Sequence, residues 1–241
     1  MKTKTILLAM FAMGILFTSC KKDEDVTPSN NVTTVNKTIS GYSELNVSDP
    51  FKVYVTFSDT EEKIQVEANS NLHQYITVKK QNNQLVIYID NDVDINGSST
   101  LNVYITTKQL DAFYGTGASS FQLQNELSGN NLLIELTGAS FFTGTVYVNQ
   151  LNSELTGASG LTLAGNSNSF NIDATGASNM TNYDFVTNYF TADFEGASNV
   201  YLTVQQELDV TATGASNVYY KGNGVIVNQS LSGGSQIIKM D

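Results

Sequence analysis

Thr137-Gly138-Ala139-Ser140, Thr156-Gly157-Ala158-Ser159 and Thr175-Gly176-Ala177-Ser178 are three copies of one tetrapeptide, and variants extend the series in both directions. The glycine recurs at Gly117, Gly138, Gly157, Gly176, Gly196, Gly214 and, within Ser-Gly-Gly-Ser, Gly233, at intervals of 18 to 21 residues. Helical solenoids do not use so short a unit with so many β-branched and aromatic residues, so the period points to stacked β coils. Four residues after each glycine stand Phe121, Phe142, Leu161, Met180, Val200, Val218 and Ile237. Two before it stand Gly115, Leu136, Leu155, Ala174, Phe194, Ala212 and Leu231. Six before it stand Leu132, Leu151, Phe170, Phe190, Leu208 and Val227, with Asp111 in the first unit. Apolar residues at alternate positions with polar ones between them make a strand with one buried face. The glycine then permits a bend that bulkier residues resist. Such coils stack about 4.8 Å apart, which makes an all-β parallel β-helix. A β-sandwich alternates too, but it does not repeat one corner motif at one period.

The remaining positions of the unit are polar and equally regular. A serine follows each glycine by two, from Ser119 to Ser235. Seven copies beside a single histidine fit a hydroxyl ladder closing backbone hydrogen bonds, not a nucleophile. Asn179, Asn199 and Asn217 come next in three units, and an amide ladder along the stack accounts for them. Three residues before the glycine stand Glu135, Glu154, Asp173 and Asp193 in four successive units. If the coils are in register, these carboxylates share one outward face about 5 Å apart. Like charges so placed repel. The row is therefore either a screened, solvated face or a binding face for a divalent cation or a cationic partner.

Composition narrows the function classes. Charged residues make up 15% of the 241, with 23 acids against 12 basic residues, all lysine, for a net charge of −11. Without arginine and without a basic face, nucleic acid is excluded as a partner. One histidine, one cysteine and no tryptophan leave little for histidine-centred catalysis or a zinc site.

The N-terminus carries an address. Lys2 and Lys4 precede an apolar run from Ile6 to Phe17, too short for a membrane span, and Thr18-Ser19-Cys20 follow. Leu16-Phe17-Thr18-Ser19-Cys20 resembles the lipobox of bacterial lipoproteins, with Phe17 where leucine is usual; the resemblance implies that Cys20 is lipidated and becomes the mature N-terminus. Lys21-Lys22-Asp23-Glu24-Asp25 is a solvated linker by composition. It also resembles the acidic export signal that follows the lipidated cysteine in some Gram-negative lipoproteins. These features divide the chain into a signal peptide (1–19), a flexible tether (20–38) and one domain (39–241). Within that domain, residues 39–110 alternate strongly without the glycine corner and are expected to start and cap the stack. Residues 111–241 carry the repeats.

Gly41-Tyr42-Ser43-Glu44-Leu45-Asn46-Val47, Phe51-Lys52-Val53-Tyr54-Val55, Ile64-Gln65-Val66-Glu67-Ala68 and Leu110-Asp111-Ala112-Phe113, followed by the Gly-Ala-Ser units, resemble the auto-transporter adhesin family with a head GIN domain. The resemblance implies a right-handed, pectin-lyase-like β-helix and a role in cell adhesion, without catalytic residues. The expected protein is a non-catalytic outer-membrane lipoprotein at the cell surface, held by its N-terminal lipid and binding an extracellular glycan or protein. The alternative is a carbohydrate-binding or polysaccharide-degrading β-helix. Lyases of that architecture resemble one another in pairing an arginine or lysine base with calcium-binding carboxylates, and this chain has no arginine. Hydrolases need two acids facing one sugar.

No cofactor is implied, calcium being the one ion with a candidate loop. Asp92, Asp94, Asn96 and Gly97 match the opening of a calcium loop, but Val103 stands where its twelfth-position glutamate belongs. A polar turn between strands explains the same residues without metal. The lipobox reading is tested by Cys20→Ser, which should shift the protein from the membrane fraction to the soluble one. Equal membrane retention of the variant would refute lipid anchoring at this residue.

Overall fold

The computed structural model describes residues 24–241. Cys20 and the lipobox lie outside the described residues. The chain forms a β-solenoid of about seven turns. In chain order it begins with β1 (Glu24–Val26), β2 (Val32–Lys37), β3 (Glu44–Val47), β4 (Lys52–Phe57) and β5 (Lys63–Asn69). A single 3-10 turn at His73–Tyr75 leads into β6 (Ile76–Gln81), β7 (Gln84–Ile89), β8 (Val93–Ile95) and β9 (Leu101–Thr107). The repeats then supply β10 (Ala112–Gly115), β11 (Ser120–Leu123), β12 (Leu127–Gly138), β13 (Phe141–Gly157) and β14 (Gly160–Gly176). They continue through β15 (Asn179–Met180), β16 (Phe185–Gly196), β17 (Asn199–Gly214) and β18 (Asn217–Lys221) to β19 (Val225–Leu231) and β20 (Gln236–Lys239).

Each coil adds strand segments to stacked sheets, two of which continue into the N-terminal region. The first sheet runs β6, β7, β3, β10, β12, β13, β14, β16, β17, β19. The second runs β2, β5, β9, β4, β11, then the first halves of β13 and β14, β15, β17, β18 and β20. From β10 onward every pairing between coils is parallel. The expected register holds: Gly138, Gly157, Gly176, Gly196 and Gly214 lie over one another. Apolar rows from both sheets meet in one continuous core. Phe142, Leu161, Met180 and Val200 are at most 1% exposed, and Phe113 packs edge-on against Phe121 and Phe142.

The corner is where sequence and backbone meet most closely. Gly157 has φ +86° and Gly176 has φ +97°, a region that side chains disfavour. A Cβ on either would also lie 2.6 Å from the carbonyl oxygen of the glycine one coil below. That carbonyl is occupied already, since Ala158 N donates to Gly138 O and Ala177 N to Gly157 O, both at 2.7 Å. Behind the glycine, Ser140 and Ser159 are buried and their hydroxyls donate to Thr137 O and Thr156 O at 3.0 Å. The serines therefore close the corner's own turn, as the ladder reading expects. The amide ladder also forms: Asn199 donates to Asn179 at 3.2 Å and Asn217 to Asn199 at 2.9 Å.

The N-terminal region both starts and caps the stack, with a chain order the sequence does not announce. The coil of β3 and β4 is sandwiched between the later β7 and β9 on one side and β10 and β11 on the other. Antiparallel β2, β5 and β6 close the end beyond it. Residues 20–23 of the expected flexible tether lie outside the described residues, and over 24–38 the expectation is corrected. β1 pairs in parallel with β8, and β2 runs antiparallel along β5, which would otherwise be an open edge. Asn69 and Asn71 fix the intervening turn by donating to Ser29 O at 2.6 Å and Thr27 O at 2.9 Å.

Two glycines separate conformation from mere absence of a side chain. Gly157→Ala should lose at least about 2 kcal/mol, from the disfavoured φ and the clash with the carbonyl below. Gly129→Ala, where the nearest atom to the new Cβ is Gln109 Nε2 at 3.6 Å, should stay close to wild type. Thermal denaturation of both variants checks this. Equal melting temperatures would remove the corner contact as the determinant of register.

Candidate functional site

The acidic residues of the repeat come together as the alignment requires. Glu135, Glu154, Asp173 and Asp193 are directly opposite one another on successive strands of the first sheet. Tyr114 continues the row on one side and Thr211 on the other. Glu135 is half-buried; the other three acids are exposed. Burial first, and then the charge of Glu154, push the Glu135 carboxyl above its ordinary range. Tyr114 is likewise raised, by burial and by the charges of Glu44 and Glu135.

The flanking rows contain nothing basic. One carries Thr137, Thr156, Thr175, Glu195 and Thr213; the other carries Leu133, Asn152, Asn171, Thr191 and Asp209. Asn171 donates to Asn152 at 2.9 Å, so part of that row is a second amide ladder. Between Lys108 and Lys221 the chain holds ten acids and no basic residue. The face is thus anionic along its length, and Glu195 and Asp209 belong to it. The same glycine alignment would have found both, one residue before the corner and five before it.

The second acidic cluster takes a different form from a calcium loop. Val93 to Ile95 is strand β8, with Val93 and Ile95 packed toward the core and Asp94 exposed opposite Asp25. Asn96 donates to Asp25 at 2.8 Å and Asp90 accepts from Thr77 at 3.0 Å. An extended strand points Asp92, Asp94 and Asn96 along its edge and does not wrap them around one centre. Among the described residues no three His, Cys, Asp or Glu side chains gather as a metal site. His73, in the 3-10 turn, contacts the carbonyl and hydroxyl oxygens of Thr33 at 3.1 Å, which ties β2 to the cap.

A parallel β-solenoid with a regular polar exterior defines the class: a repeat scaffold that displays rows of side chains. The model of the family described as "Putative auto-transporter adhesin, head GIN domain" matches residues 41–224, and the chain belongs to that family. A solved structure from Bacteroides fragilis, described as "a putative adhesin", is similar at TM-score 0.78 and 19% identity, covering 89% of this chain and 97% of that one. A structure from Parabacteroides distasonis, described as "Putative lipid binding protein", is similar at TM-score 0.74 and 16% identity, covering 90% and 100%. One from Parabacteroides merdae, described as "a putative adhesin", gives 0.66 and 16%, with the same coverage. At these identities the structures share the fold. Comparison with the curated proteins yields no match.

A carboxyl raised in the folded state is a cost that appears as pH rises through the ordinary carboxylate range and is complete above the folded pKa. Glu135→Gln should therefore raise the melting temperature at neutral pH, with the gain fading by about pH 3.5. A gain that does not depend on pH would exclude this electrostatic origin. The pair Glu154→Gln and Asp173→Asn tests the row as a cation site. If calcium binds there, millimolar calcium should raise the wild-type melting temperature by mass action and leave the double variant nearly unmoved. Equal responses would remove the row as a calcium site.

Proposed function

We propose that the protein is a non-catalytic, lipid-anchored adhesin at the outer surface of the cell, and that the anionic face of its first sheet is the binding surface. Membership of the adhesin family supports the role. The observation that carries the choice of surface is the in-register row Glu135, Glu154, Asp173 and Asp193 in a stretch free of lysine. A ladder that repeats every coil offers a ligand many equal contacts, so weak individual interactions add along an extended partner. A cationic protein segment, or a surface bridged by divalent cations, matches its charge.

The test is a binding screen of the ectodomain from residue 24 onward against immobilised glycans and matrix proteins, with and without calcium. Binding should weaken as salt rises, because exposed charges are screened beyond about 8 Å at physiological ionic strength. It should fall at least tenfold in the double variant Glu154→Gln, Asp173→Asn. Binding indifferent to both would place the ligand elsewhere on the molecule. Release of shortened glycan during the screen would instead identify the polysaccharide-degrading alternative.

A further inference from the structure

The outward side of the second sheet has a chemistry unlike that of the acidic row. Its central row begins with Tyr104 and Tyr54 on β9 and β4, whose rings stack at 5.1 Å between centroids. Gln122 and Thr143 follow on β11 and β13. Thr162 and Thr181 come next, both exposed, with their hydroxyls 3.4 Å apart. The row then reaches Tyr201 and Tyr219 on β17 and β18, stacked at 4.6 Å, with Tyr183 edge-on to Tyr201.

Phe141 stands between the two tyrosine stacks, in the adjacent outward row, and is 51% exposed. Its ring fills the place of the side chain that Gly160 lacks, since a Cβ there would lie 2.9 Å from two of the ring carbons. The ring is therefore seated on the backbone of the next coil and leaves its other side to solvent. A single exposed apolar side chain is ordinary, but this one completes a line. Aromatic rings recur every two to three coils, about 10–14 Å, from β9 to β18. Between them lie hydroxyls and the amide ladder of Asn179, Asn199 and Asn217. From Gln122 to Tyr219 in the central row, and from Ser120 to Asn217 in the row of Phe141, no position is charged. Charge enters only at the two ends, as Lys52 and Glu67 beside Tyr54 and Tyr104, and as Lys221 over the Tyr183 ring at 5.1 Å.

We propose that this face is a glycan-binding track, and that its ligand is an extended chain of uncharged sugars laid along the stack. A pyranose ring has C–H faces and hydroxyl edges. The C–H face packs on an aromatic surface such as the open side of Phe141. Sugar hydroxyls both donate and accept, as threonine hydroxyls and asparagine amides do, whereas a charged side chain does only one. In the ladder Asn199 donates once to Asn179 and accepts once from Asn217, which leaves it one N–H and one lone pair for a ligand. A protein partner fits this face less well, because protein interfaces centre on an apolar patch with a polar rim. Here one ring is set among hydroxyls and amides. A polymer also matches the length of the track, so that weak contacts made at each coil add along it. The acidic row of the first sheet is a separate surface, and neither reading depends on the other.

Titration calorimetry of the ectodomain with cellohexaose, xylohexaose and mannohexaose, three extended neutral chains, tests the track. At least one should bind with Kd below about 1 mM. Maltohexaose, whose α-linkages curl the chain, should bind at least tenfold more weakly than the best of the three. Phe141→Ala should weaken binding at least tenfold with the melting temperature nearly unchanged, since the ring is half exposed. Thr162→Lys, a long side chain across the track at an exposed position, should do the same and decides the matter if Phe141→Ala is unstable. Raised salt and the double variant Glu154→Gln, Asp173→Asn should leave sugar affinity unchanged, which separates this face from the acidic row. No binding of any extended hexasaccharide at 1 mM, equal binding of maltohexaose, or binding indifferent to both track variants would overturn the proposal. Immobilised collagen held through Phe141 by a protein that takes up no hexasaccharide would assign the face to a protein partner instead.

Discussion

At each corner from Gly138 to Gly233 the glycine lies against the carbonyl oxygen of the corner glycine one coil below, with no room for a side chain between them. The contact allows the amide of the next residue to reach that carbonyl, at 2.7 Å for Ala158, Ala177, Ala197 and Ala215. A shift of one residue in any coil would put a Cβ into this gap and turn an apolar row toward solvent. Register is therefore fixed at one point and inherited by every other position. The phenylalanines of the core, the serines behind the corner and the asparagines after it form rows because the corner leaves them no other neighbours.

The same inheritance explains how much of the fold was legible in the sequence. A repeated unit prints its three-dimensional neighbours at a constant offset, so aligning glycines was enough to place Glu154 opposite Glu135 and Leu161 opposite Phe142. Where the period stops, the information stops. Nothing local says that β1 pairs with β8, some seventy residues away, or that β7 and β9 stack outside an earlier coil. The polar stretch 26–38 resembled a tether because an edge strand facing water needs no apolar row. Asp92 to Asn96 resembled a loop for ions because alternate oxygens also suit a short strand with one wet side. The last repeat kept its corner but not its burial: position six before Gly233 is the bulged Val227, and Leu231 lacks a coil above it.

The candidate site is a by-product of this order as much as a device. A solenoid cannot place one carboxylate per unit without aligning all of them; burial, and after it repulsion from Glu154, raises the Glu135 carboxyl. The cost stays small because the other three acids are exposed to solvent and ions. The rows on either side are mostly hydroxyls and amides that bond partly among themselves, with Glu195 and Asp209 as their acids. The four-acid row was legible because its position repeats in successive units; Glu195 and Asp209, each alone in its row, have no repeat to draw the eye, though the same alignment holds them.

The direction of the backbone hydrogen bonds has a mechanical consequence. They run along the stack, from coil to coil, so a pull between the first strands and the last coil is parallel to them. Strands pulled in that direction part a few bonds at a time, whereas strands sheared along their own length must break many together. Each coil of 18 to 21 residues that parts would release roughly 60–70 Å of extended chain. Under tension the molecule lengthens in steps of one coil, and the load on whatever it holds falls with each step.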